Sequence, residues 1–360
     1  MATAKRRALD QLRHRKMLAR KHQALAFDVE REQQAMPDFD AALDDDIGDE
    51  MLRLIFTACH PLLSRDASAA LALRMICGLT TEDIARAFLV PEATIGQRIV
   101  RAKRTLSESG LAYETPRGEQ LAQRLASVLE VVYLIFNEGY AASGGEAHVR
   151  AGLCDEAIRL ARLLLRLFPS EPEIMGLTAL LLLQHARAPA RLDADGQIVL
   201  LEDQDRGAWN GAMVGEGLAL LDKAIRHQRP GSYQVQAAIA ATHARAESFA
   251  ATDWAQIEML YGTLERMQPS PVVTLNRAVA VEKVRGPAAA LAMIEPLAEP
   301  LSGYFYFHGL KGALLTRLGR VREARVAFDQ AISRANTAAE AAHIRSQIDR
   351  LTGNGGRAPR

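Results

Sequence analysis

The chain has 360 residues, of which 49% are hydrophobic, 24% charged and 5% aromatic, with a formal net charge of +1. That much apolar material excludes a globally disordered chain and suffices for more than one packed unit, and abundant Ala, Leu and Arg with few β-branched runs predict an all-α protein. Three cysteines without CxxC spacing argue against a disulfide framework or zinc and for reduced, buried thiols in a cytoplasmic protein, while the apolar run Leu177–Leu183 is far too short to cross a bilayer, so no membrane partner is expected.

The near-neutral total hides a segregation of charge. Residues 1–22 carry eight Lys or Arg against Asp10 alone, and residues 23–50 reverse the sign with ten acidic groups against Arg31. Pro37 and Gly48 punctuate the acidic part, which reads as a linker over 23–48.

From Asp49 the helical pattern is clear. Leu52, Ile55, Phe56 and Cys59 recur on one face of a helix that ends at His60-Pro61. A second helix starts after Ser64, a good N-cap, and runs through Ala70, Leu71, Leu73 and Met75 to stop at Gly78. The stretch "GLTTEDIARAFLVPEATIGQRIVRAKRTL", Gly78–Leu106, then places a capping box (Thr80, Asp83) before a helix with Ile84, Ala85 and Phe88 on its buried side. Leu89-Val90-Pro91 is a turn, and Pro91 opens the next helix.

In that helix Ile95, Ile99, Ala102 and Leu106 face the core, and Thr94, Gln97, Arg98, Arg101 and Arg104 lie on another face, with Lys103 a further cation of the same helix. Helix, short turn and helix with a polar, basic outer face is a helix-turn-helix layout whose second helix suits a DNA major groove. The same pattern also suits an ordinary helical hairpin with solvated arginines.

After Pro116 the chain is helical again, beginning with "LASVLEVVYLIFNEGY" and breaking into helix pairs from about Leu153. The pairs around Gly286 and Gly319 look alike and lie 33 residues apart, near the tetratricopeptide period of about 34. "RLDADGQIVLLED" mimics a calcium loop but has Arg191 where a carboxylate is required, so it reads as a hairpin-like insertion with an Asp-Gly turn. Asn137, Glu138 and Tyr140 of "FNEGY" read as groups that tie a loop, with a pocket as the lesser alternative. No hydrolase, metalloprotease, P-loop or dinucleotide motif is present, so neither catalysis nor a cofactor or metal is expected.

At Gly78–Leu106 the sequence resembles domain 4 of the extracytoplasmic-function sigma factors, a branch of the sigma-70 family of bacterial RNA polymerase subunits. "YLIFNEGY", "CDEAIRLARLL", "LLEDQDR" and "SPVVTLNRAVAV" are similar to the subgroup with a tetratricopeptide-like C-terminal extension, and "ATAKRRALDQLRHRK" resembles the closing helix of domain 2. The resemblance implies a remnant of domain 2 over 1–22, domain 4 over 49–112, a helical-repeat domain over 113–350 and a disordered tail over 351–360. It implies a sigma factor that joins core RNA polymerase and reads the −35 promoter element. Thr94, Gln97, Arg98 and Arg101 would then meet DNA bases and backbone, with Arg104 and Lys103 as further DNA-binding residues, while Gly96 and Val100 depart from the family's usual Lys and polar or His residue.

The family's earlier part of domain 2 has no counterpart in the chain, so independent promoter melting is not expected. The repeats would regulate the factor, add polymerase contacts or bind a protein partner. Two other readings fit the residues: a transcription regulator with a helical-repeat sensor, and a protein-binding scaffold whose N-terminal part is a passenger.

Overall fold

The computed structural model describes residues 49–109, 116, 118–141, 147–335 and 337–354. The basic segment 1–22, the acidic linker 23–48, the 112/113 boundary and residues 355–360 of the expected tail lie outside them. Residues 351–354 of that expected tail belong to the last helix.

The first helices begin where side chains can satisfy their free N–H groups. Helix α1 (Glu50–Ala58) starts at Asp49, whose carboxylate accepts the Leu52 N–H at 2.9 Å, and it buries Leu52, Ile55 and Phe56. Helix α2 (Arg65–Met75) starts at Ser64, whose hydroxyl accepts the Ala67 N–H, and ends before Gly78 at φ +70°. Met75 is exposed, because it sits at the last turn of α2 beyond its buried run Ala67–Leu73.

Asp49 does more than cap α1. Arg159 Nη1 donates to its Oδ2 at 2.6 Å, and this bond, joined by the Leu52 N–H, holds its carboxyl below the ordinary value. A lowered folded-state pKa gives a contribution complete above the unfolded value of about 3.9 and lost as pH falls through the folded value. Asparagine caps a helix as well as aspartate does, so Asp49→Asn removes only the charge paired with half-exposed Arg159; it is expected to cost about 0.2–1 kcal/mol at neutral pH and to leave a shallower loss of stability in acid, as read by urea unfolding at several pH values.

Helices α3 (Thr81–Phe88) and α4 (Glu92–Glu108) complete the N-terminal group. Helix α5 (Glu119–Ala141) packs against α1, α2, α3 and α6 (Ala147–Leu167) at once, so the N-terminal helices and the extension share a core. Arg124 of α5 is buried and donates from Nη1 to the Phe56 carbonyl at 2.9 Å. The Phe56 ring lies 6.5 Å from that of Phe168, which follows α6.

Beyond α6, successive helices pack on their chain neighbours: α7 (Pro172–His185), α8 (Gly211–Arg226), α9 (Ser232–Arg245), α10 (Trp254–Met267), α11 (Pro271–Arg285), α12 (Pro287–Ile294), α13 (Phe305–Arg317), α14 (Val321–Ile332) and α15 (Ala338–Asn354). Three apolar clusters follow one another along this stack, centred on Leu183 and Leu221, on Ile257 and Leu264, and on Phe307 and Phe328. The two similar helix pairs both turn at a left-handed glycine, Gly286 at φ +86° and Gly319 at φ +71°, which explains why glycine stands at each.

The described residues contain no β-strand, and the all-α expectation holds. The insertion between α7 and α8 forms a hairpin-like loop with an isolated antiparallel bridge, Leu192 to Ile198. Its turn is made by Asp193, whose Oδ1 accepts the N–H groups of Asp195 and Gln197, with Gly196 at φ +75°. Asp193 is occupied by its own backbone, so the calcium-loop pattern there is a turn.

Candidate nucleic-acid interface

Helix α3 is fixed by both halves of a capping box: Thr80 Oγ1 accepts the Asp83 N–H and Asp83 Oδ2 accepts the Thr80 N–H, each at 3.1 Å. Asp83 is buried and also pairs with Arg86. The turn to α4 is made by Leu89 in the left-handed region (φ 52°, ψ 42°), whose N–H reaches back to the Ala85 and Arg86 carbonyls. A leucine there is strained, and with its side chain 49% exposed it loses little by removal. Leu89→Gly is expected to stabilise the fold by about 0.5–1 kcal/mol, seen as a raised denaturation midpoint.

Pro91 is the N-cap of α4, and Glu92 is the first helical residue. The expectation that Pro91 opens the helix from inside is thus corrected by one position: its ψ of 145° keeps it extended. Ile95, Ile99, Ala102 and Leu106 are all buried against α2 and α3.

The six candidate side chains fall into three groups. Thr94, Gln97, Arg101 and Arg104 are exposed and, at about 100° per residue, share an arc of about 80°. Arg104 is paired with Glu108 at 2.6 Å on that surface, an exposed contact worth little. Lys103 is exposed but stands about 160° around the axis from Arg101, so the structure does not bring it to the same face.

Arg98 is the exception among the arginines. Its side chain is only 23% exposed; Nη1 lies 3.2 Å from Asp66 of α2 without an aligned hydrogen bond, and the guanidinium stacks 5.4 Å over the Phe88 ring of α3. Phe88, expected on the buried side, is half-buried beneath it. Arg98 therefore ties three helices of the group together and fixes the direction of α4. Its role as a clamp was invisible in the sequence, since Asp66 is remote in the chain and periodicity carries no information about it.

The FNEGY motif lies in the last turns of α5. Glu138 is buried with Arg86 of α3 at 3.9 Å, and Tyr140 donates to Gln184 Oε1 at 3.2 Å while Arg191 stacks on its ring. These groups tie the hairpin-like loop and α3 to α5. Burial raises the thiol pKa of Cys59 and Cys77 to about 12 and of Cys154 to about 11, so all three are protonated and unreactive at neutral pH. Cys77 is half-buried in the turn after α2, not inside a helix as expected.

Among the described residues no cluster of His, Cys, Asp or Glu is arranged to hold a metal ion, and no helix is long and apolar enough to cross a membrane.

Comparison with known proteins agrees with this geometry. Residues 53–106, from α1 through α4, match the family described as Sigma-70, region 4. Residues 124–225 match a family of unknown function, DUF6596. Over 303 residues the chain is 62% identical to Uncharacterized protein R00370 of Rhizobium meliloti (strain 1021), spanning 84% of this chain and 72% of that protein. The chain belongs to one family with this Rhizobium protein, and its residues 53–106 are a sigma-70 region 4.

Proposed function

We propose that the protein is a sigma factor of the extracytoplasmic-function type, which joins core RNA polymerase and reads the −35 promoter element with α4. The observation that carries this reading is the two-sidedness of α4: Ile95, Ile99, Ala102 and Leu106 are buried, whereas Thr94, Gln97 and Arg101 stand exposed on one face behind a capped helix and turn. A region 4 match across these same residues supports it, since such regions in general meet promoter DNA and polymerase. In this reading Gln97 and Arg101 contact base edges or phosphates, Thr94 and Arg104 contact the backbone, Arg98 positions α4, and Lys103 serves only as distant positive charge.

The extension from 113 to 350 is read as a tetratricopeptide-like stack, supported by the paired helices turning at Gly286 and Gly319. It regulates the factor or adds contacts to polymerase or another protein. The experiment is selection of bound duplexes from a random pool, using the full chain with core polymerase. Enrichment of one motif that is lost or relaxed in Gln97→Ala and Arg101→Ala is expected. A motif enriched equally by both variants overturns the assignment of α4, and one enriched equally without polymerase favours a polymerase-independent regulator.

A further inference from the structure

The segment 186–210, between α7 and α8, holds three arginines that have no counter-ion among the described residues. Arg206 lies 4.9 Å and Arg187 5.6 Å from the centre of the Trp209 ring, and Arg191 lies 3.7 Å from that of Tyr140. Their hydrogen-bond acceptors are all neutral. Arg187 donates to the amide oxygens of Gln204 and Gln184, Arg191 to the Tyr140 carbonyl, and Arg206 to the carbonyls of His243 and, at 2.9 Å, Ala246. Several other arginines of the extension sit on carboxylates, as Arg162 does on Glu216, Arg277 on Glu265 and Arg285 on Glu258, whereas the more exposed Arg266 and Arg334 donate to neutral oxygens. Among the described residues none of Arg187, Arg191 and Arg206 sits on a carboxylate.

Such a cluster is unfavourable as it stands. Half-buried Arg187 is repelled by both Arg191 and Arg206, and unpaired buried charge is costly. Burial lowers the pKa of both Arg187 and Arg206; burial, then these two cations, pushes His243 down to about 4, so the imidazole is neutral. Among the described residues, Arg206 Nη2, Trp209 Nε1 and His243 Nδ1 are buried without a hydrogen-bond partner, and the indole N–H can only donate. Orphaned donors and uncompensated cations at one place match what an oxoanion supplies: negative charge and several acceptor oxygens.

We propose that Arg187, Arg191 and Arg206, with the Trp209 N–H, form a binding site for phosphate, either the free ion or a phosphate monoester on a small molecule. Planar guanidinium forks match phosphate oxygens in pairs, and three of them suit a dianion better than a single carboxylate. Arg187, Arg191, Arg206 and Trp209 all lie within the DUF6596 span, so this assigns that span a ligand. The site also touches α5 through Tyr140, and α5 packs on the helix-turn-helix, so occupancy would brace that joint. It stands apart from α4, and its failure would leave the DNA reading untouched.

The chain's two tryptophans are both reporters here, Trp209 inside the cluster and Trp254 with its ring 5.3 Å from that of His243. Full-length protein is titrated with sodium phosphate, glycerol phosphate, sodium acetate and sodium chloride at one pH and matched ionic strength, following tryptophan emission. The expected result is a saturable response to phosphate or glycerol phosphate that is at least about tenfold tighter than any to acetate. It persists in Trp254→Phe, weakens about tenfold in Arg206→Gln and weakens at least about threefold in Arg187→Lys, which keeps the charge but loses the fork. Tighter binding of glycerol phosphate identifies a monoester ligand, and equal binding identifies the free ion. A wild-type response to both phosphates no different from acetate or chloride overturns the site without recourse to any variant, as does unchanged phosphate affinity in both arginine variants.

Discussion

Phe56→Ala is expected to destabilise the fold by about 3–5 kcal/mol and to weaken the N-terminal helices and the extension together. Phe56 is fully buried, its ring meets Phe168 beyond α6, and its carbonyl accepts the buried Arg124 of α5. Truncation leaves a cavity at the place where α1 meets the extension, and its cost falls on both sides of that joint. Thermal unfolding of Phe56→Ala followed by helical circular dichroism should therefore shift as one transition. Two separated transitions in the wild type, with only the smaller one moved by the substitution, would mean that the helix-turn-helix group folds independently of the stack.

Arg101→Ala is expected to weaken DNA binding by about 1–3 kcal/mol if the guanidinium reads a base edge, and Gln97→Ala by a similar amount. A phosphate contact would show instead as uniform weakening with a salt slope reduced by about 1. Each side chain is exposed on the outer arc of α4 and its removal leaves the core face intact, so the melting temperature should not move. Arg98→Ala should differ in kind, because its contacts with Asp66 and Phe88 are lost: weaker DNA binding should come with a lower melting temperature. Lys103→Ala, on the opposite flank, should change binding only through net charge. The contrast between Arg98 and Arg101, measured by fluorescence anisotropy and thermal melting of the same preparations, separates positioning from contact.

The parts of this fold that were legible in the sequence are the local ones. Ser64, Thr80 with Asp83 and Gly78 each act within a few residues, so cap chemistry alone located the ends of α2 and α3. The core face of α4 followed from its period, and the likeness of the two helix pairs from their 33-residue spacing on Gly286 and Gly319, whereas the positive φ of those glycines is a finding of the structure. The misplacement of Pro91 by one position reflects a proline φ that suits both the N-cap and the first helical residue, so ψ alone decides. Grouping Lys103 with Arg101 counted cations along a helix without turning it through about 100° per residue.

What could not be read is what the tertiary fold assembles. Arg98 meets Asp66, and Arg124 meets Phe56, across separations that no periodic pattern encodes. The same holds for Arg187, Arg206 and His243, which come from one irregular loop and a later helix. FNEGY was legible as a tie, yet not as the tie that joins α3, α5 and the hairpin-like loop.

The central claim is that region 4 here serves RNA polymerase, and the most direct measurement is co-elution of the full chain with bacterial core RNA polymerase on a sizing column, with Arg101→Ala run beside it. The account predicts a stable complex for both proteins, since the proposed reading assigns Arg101 to DNA and makes polymerase binding independent of it. A chain that binds DNA but elutes apart from core polymerase at micromolar concentrations would contradict it.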